Sequence, residues 1–181
     1  MVRPVHRRKR RCSQSAIGAP FADAYVCGHA TSTGVLALTD IWTVRSLKAA
    51  LDTSEPAKTG ELSVRIVEGA DPILLVTMHE HGDLELFVNV SEAQISASTL
   101  LWPCDEQEDQ AAFNAFLLKT QKLVPLSNFG IGSVEGRDYY ELFGELATSS
   151  RLDTIVIELR TLAENAIDAA TDLRNAQIPA A

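Results

Sequence analysis

Between residues 61 and 100, apolar and polar side chains alternate in four successive stretches, and the links joining them are too short for anything but a reversal of direction. Residues 61–68 place Leu62, Val64 and Ile66 on one side, and residues 84–90 place Leu84, Leu86, Val88 and Val90 on one side; 73–79 and 94–100 complete the set. A parallel pair needs a crossover of roughly a dozen residues, whereas these links read EGADP, HGD and SE and carry Gly69, Asp71, Pro72, Gly82 and Asp83. The stretch is expected to fold as an antiparallel meander, against which the rest of the chain must pack.

Helical patterns flank it. Thr43 is placed to cap a helix over 43–52, where Val44, Leu47 and Leu51 share a face and Trp42 can pack back as a hydrophobic staple. DTSEPAKTG, with Pro56 and Gly60, reads as the loop that ends this helix. After Pro103, Asp105 and Glu108 have capping-box spacing and predict a helix running to about Lys122, with Phe113, Phe116, Leu117 and Thr120 inward. Pro125 restores an extended chain, and a hairpin follows: Phe129 and Ile131 in its first strand, a turn within Gly132 to Gly136, and a second strand over 137–146. Ser150 with Asp153 predicts the cap of the longest helix, whose stripe is Leu152, Ile155, Val156, Leu159, Leu162, Ala163, Ala166, Ile167, Ala170 and Leu173. The sum is an α+β two-layer domain: an antiparallel sheet of about six strands with three helices, the last lying across one face and the other face partly open.

Composition sets boundaries and excludes classes. With 181 residues, 46% of them hydrophobic, the chain can bury one core without disulfides or metals. Residues 1–34 show neither helical nor strand periodicity and are expected to be a disordered basic extension, leaving 35–178 as a single domain. Six of the 16 Lys and Arg residues lie in 1–11, so the remainder carries ten basic residues against all 24 acidic ones. Such a body repels nucleic acid and anionic membranes. Pro179 and the final alanines are expected to form a loose end. The start of the chain lacks the apolar region of a secretory signal, no run of about 18 apolar residues predicts a membrane span, and Cys12, Cys27 and Cys104 form no disulfide or CxxC pattern. A cytoplasmic protein is expected.

Few residues invite chemistry. His79 and His81, two apart with Glu80 between and Asp83 in the turn, would share one side of an extended segment as a metal half-site, but no third His or Cys is near in sequence. Cys104 at a helix start could be a reactive thiol, although Asp105 and Glu106 oppose its ionisation. Gly130, Gly132 and Gly136 lead into a strand, so they read as hairpin residues and not as a phosphate loop. In the second hairpin strand Tyr140, Leu142, Gly144 and Leu146 fall on one side and Tyr139, Glu141, Phe143 and Glu145 on the other, with Phe87 pointing the same way in its own strand. Phe87, Tyr139, Glu141, Phe143 and Glu145 therefore predict an aromatic and acidic face open to a partner protein.

HGDLELFVNV, LLWPCDEQEDQAAFNAFLL, PLSNFGI, DYYELFGELATSS and LDTIVIELRTLAENAID resemble the YjfI-like family of uncharacterised bacterial cytoplasmic proteins, over residues 40–172. The order of elements also resembles the fold shared by type III secretion chaperones and YbjN-like proteins. The family resemblance implies no catalytic residues and no cofactor. Some members are encoded beside a PspA-like membrane-stress protein, which implies a partner of that coiled-coil class. The N-terminal extension departs from the family pattern. The expected function is a non-enzymatic protein-binding module linked to envelope stress, with a homodimer through the open face or an edge strand plausible. Its rivals are a secretion-chaperone-like protein and a small metal-dependent enzyme or sensor using His79, His81 or Cys104.

Overall fold

Thr43 opens the first helix, α1 (Val44–Asp52), by a capping box in which its Oγ1 accepts from the Ser46 amide at 3.1 Å and the Ser46 hydroxyl accepts from the Thr43 amide at 2.9 Å. Trp42, just before it, is anchored as well as packed: its amide donates to Thr148 O at 3.0 Å and its Nε1 to Ser150 O at 2.7 Å. This is a computed structural model, and it describes residues 41–174. The extension over 1–34 and the end around Pro179 lie outside the described residues.

The stretch read as a loop after α1 contains a further short helix, α2 (Glu55–Thr59), so the described residues hold four helices where three were expected. Pro56 sits in its first turn, where the missing N–H would have no helical partner anyway, and Gly60 ends it in the left-handed conformation at φ 80°. Then come β1 (Leu62–Val67), β2 (Ile73–Met78), β3 (Leu84–Val90) and β4 (Gln94–Pro103), the predicted meander. Helix α3 (Gln110–Thr120) starts later than expected, capped by Asp109, whose Oδ1 accepts from the Ala112 amide at 2.9 Å. Asp105 is unavailable for that role because Arg137 Nη2 holds it at 2.7 Å, and residues 104–106 form a separate 3₁₀ turn. A second 3₁₀ turn, Gln121–Leu123, ends the segment.

The hairpin consists of β5 (Asn128–Val134) and β6 (Arg137–Ala147). Its turn is tighter than predicted: only Glu135 and Gly136 lie between the strands, both at positive φ (51° and 83°), the conformation that matches strand twist in a two-residue turn. Gly132 belongs to the strand. Finally α4 (Leu152–Asp172) begins at Arg151, not Ser150, with no side-chain cap; Asp153 is occupied with the Arg151 guanidinium. Its buried stripe follows the predicted one to Ala166 but then takes Ala169, leaving Ile167 and Ala170 exposed, and it includes Glu158, which no apolar pattern announces.

All six strands pair antiparallel in the order β1-β2-β3-β4-β6-β5. Inward-facing residues of the sheet join Leu47 and Leu51 of α1, Phe113 and Leu117 of α3 and the stripe of α4 in one core cluster, so the helices share one face. At the end of β4 the register shifts: Leu100 faces Glu141 while Pro103 faces Tyr139, three steps against two. This bulge turns Trp102 inward, whereas strict alternation with Leu100 would have left it on the open side. There it packs against Tyr140 and Phe113, ring centroids 5.7 and 6.2 Å away.

A candidate protein-binding face on the sheet

The register of the sheet aligns a single row across its open face: Arg65, Leu75, Phe87, Ser98, Phe143 and Asn128, one residue per strand. Phe87 is 38% exposed and Phe143 half-buried, and Ser98 stands between them, so two rings about 10 Å apart border a shallow trough floored by a hydroxyl. Leu75 is 1% exposed yet lies outside the main core cluster. The Arg65–Glu85 pair, at 3.7 Å, lies beside it on the same face. Its strand is apolar on both sides, from Ile73 to Val76, a composition found where both faces of a sheet are covered. That was the available signal for Leu75, and Ser98 had none, because its place depends on register.

All five predicted site residues fall on this face. Glu141 lies across the glycines of β5: a Cβ on Gly130 would stand 2.9 Å from Glu141 Oε1 and 3.2 Å from Phe143 Cε1, and one on Gly132 3.0 Å from Glu141 Oε2. The glycines of the hairpin thus serve as a bed for these side chains. Burial pushes the Glu141 carboxyl above its usual range. Glu145 accepts from Gln94 Nε2 at 2.9 Å, and the Arg137 guanidinium stacks 5.6 Å from the Tyr139 ring centre.

Of the residues considered for chemistry, His79 is engaged and Cys104 is buried, while the Nδ1 of His81 is buried with no hydrogen-bond partner among the described residues. His79 and His81 occupy a 3₁₀ turn and not an extended segment, so the alternation that would have put both rings on one side does not apply. His79 Nδ1 is 2.6 Å from Asp83 Oδ1 and its Nε2 3.0 Å from Ser63 Oγ, which leaves neither ring nitrogen free for a metal; the three side chains are exposed. Among the described residues, no group of three or more His, Cys, Asp and Glu side chains is placed to hold a metal ion. Cys104 is buried, and burial, aided by the Asp138 charge, pushes its thiol up, away from the reactive thiolate. Burial likewise pushes Tyr140 up to about 12.

Residues 41–176 match the model of a family described as an uncharacterized protein conserved in bacteria, DUF2170. The chain belongs to that family. YjfI of Escherichia coli K12 is 36% identical over 104 residues, 58% of this chain and 78% of YjfI, and the O157:H7 protein matches equally. Among solved structures, E. coli YbjN aligns at TM-score 0.51 with 8% identity, over 72% of this chain and 93% of that one. An uncharacterized protein of Methanothermobacter thermautotrophicus aligns at 0.50 with 12% identity, over 68% and 94%. At such identities the likeness shows the fold alone. No helix among the described residues is long and apolar enough to cross a membrane.

Proposed function

We propose that this chain is a non-enzymatic protein-binding module that takes a segment of another protein onto the open face of its sheet. The carrying observation is the Phe87–Ser98–Phe143 row: two accessible rings held at fixed spacing by paired backbone, on a face that no helix of the described residues covers. Rigid aromatic anchors bring large contact area at little entropic cost, and they dominate binding energy where they are found. Glu85, Glu141 and Glu145 surround the rings, so the face suits a segment that is apolar on one side and basic at its margins. The finer reading, drawn from the family resemblance, is a cytoplasmic module whose partner is a PspA-like coiled-coil protein of the envelope-stress response.

The test is quantitative binding of the purified PspA-like protein of the same cells to the wild-type chain and to Phe87→Ser and Phe143→Ser. Each substitution is expected to weaken binding about tenfold, the loss of one anchor of roughly 1.4 kcal/mol, without lowering the melting temperature by more than a few degrees. Equal binding by all three proteins rules out the face. No binding to wild type rules out this partner. If the face is covered by a second copy of the chain instead, sedimentation will show a dimer that the same substitutions dissociate.

One observation favours a different reading, namely the Ser63–His79–Asp83 chain of contacts, in the order of nucleophile, base and orienting acid. Its members stand in open solvent, with Asp83 74% exposed, so no low-dielectric site strengthens them. A fluorophosphonate probe is expected to leave the protein unlabelled. Labelling abolished by Ser63→Ala would overturn the non-enzymatic reading.

A further inference from the structure

On the helix side of β6, a cavity of about 450 Å³ opens between the 3₁₀ turn at Gln121, the approach to β5 and α4. Glu158 of α4 lines it and is only 5% exposed, yet burial acts on its carboxyl with no hydrogen bond or opposite charge from the described residues to offset it. Carboxylates this buried are ordinarily paired. The position is made by Gly144, where a Cβ would collide with Glu158 Oε1, so any other residue at that position would displace the carboxylate. The Leu126 carbonyl, set by that residue's positive φ of 55°, lies 3.2 Å from the same point. Gln121 contributes another acceptor: its Nε2 donates to Asn128, while its Oε1 is buried with no partner. Glu145 borders the cavity too, but its carboxylate accepts from Gln94 on the open face, and Lys122 is exposed at the rim, with no ion pair to Glu158 among the described residues.

The lining thus sets the Leu126 and Gln121 oxygens around an acid that none of its own donors, on Lys122, Ser127 or Asn128, engages among the described residues. The buried acid repels an anion, whereas a cation with several N–H groups satisfies each of these oxygens. We propose that this cavity is a binding site for a guanidinium group, with Glu158 receiving its planar fork and the Leu126 and Gln121 oxygens its remaining donors. Guanidinium is favoured over ammonium because it is more weakly hydrated and meets a carboxylate through two parallel bonds. The group can arrive free or on an arginine side chain of a bound protein. The site shares Asn128 with the end of the row but uses neither Phe87 nor Phe143.

The experiment is an NMR titration of the full chain with ethylguanidinium, with Nα-acetyl-arginine methylamide, and with ethylurea as the neutral counterpart. Both guanidinium probes are expected to shift the amides of Ser127, Leu146 and Glu158 saturably, ethylurea not at all at equal concentration. Glu158→Gln, which keeps the shape and removes a buried charge, is expected to bind at least tenfold more weakly while melting no lower than wild type at neutral pH. Tighter binding of the arginine amide identifies a side chain as the natural occupant, and tighter binding of ethylguanidinium a free one. Equal binding of ethylurea, or undiminished binding by Glu158→Gln, overturns the proposal. So does binding that emerges only in Lys122→Met, since the chain's own lysine then fills the site.

Discussion

Trp102→Ala is expected to lower folding stability by about 3–5 kcal/mol, the range for removing a large aromatic side chain from a packed core. Trp102 is 2% exposed and is ringed by Phe113 and Tyr140, whose own rings meet edge-on at 5.1 Å, so its loss leaves a cavity the neighbours cannot close without breaking that contact. The Tyr140 hydroxyl is fixed besides, donating to Asn114 Oδ1 at 2.8 Å. Trp102→Phe should cost much less, about 1–1.5 kcal/mol, because the indole Nε1–H is buried without an acceptor and its removal offsets part of the lost contact area. Urea unfolding followed by circular dichroism measures both. The pair of results also tests the bulge between Leu100 and Pro103: without it the indole would sit on the open face, and Trp102→Ala would change stability by less than about 0.5 kcal/mol.

What could be read in advance follows from how local each determinant is. The four strands of the meander were legible because each carries its own alternation, and six strands in one antiparallel sheet follow from that and from the hairpin. The division of β6 into a core side and an open side was legible for the same reason. Determinants that reside in another part of the chain were not. In DEQED four acids compete to cap α3, and Arg137, 32 residues beyond Asp105, removes one of them from the contest. Trp102 takes its side from a register shift against β6. Of the candidate face, Phe87, Tyr139, Glu141, Phe143 and Glu145 could be named from alternation alone, but the trough needs Ser98 between two rings, which only strand order supplies. Glu158 was invisible, since a charged residue in a helical stripe is read as solvent-facing; the gap that admits it is Gly144 on a different element.

Arg160→Met should destabilise the fold by about 2 kcal/mol at neutral pH, and the loss should shrink in acid. Arg160 in the middle of α4 reaches Glu61, at the end of the α2 loop, through Nε at 2.5 Å and Nη2 at 2.7 Å, clamping the first edge of the sheet to the helix layer across 99 residues of sequence. The Glu61 side chain is 12% exposed and that of Arg160 43%, so removing the guanidinium strands a carboxylate in a mostly dry place. Solvent at Arg160 keeps the cost below the roughly 3–5 kcal/mol of a fully buried pair. The guanidinium hydrogen bonds hold the Glu61 carboxyl below its usual range, against the opposing effect of burial. A carboxyl lowered in the folded state contributes stability that is complete above the unfolded value, near 4.3, and is lost as pH falls through the folded one. In Arg160→Met the sign reverses: burial becomes the largest effect on the Glu61 carboxyl and raises it, so the variant is penalised as pH rises and relieved as it falls. Unfolding free energies measured from pH 7 down to pH 3 should therefore converge, and adding Glu61→Gln to Arg160→Met should recover part of the loss at pH 7. A gap that stays constant with pH would mean that Arg160 acts through its aliphatic stem on the sheet edge and not through its charge.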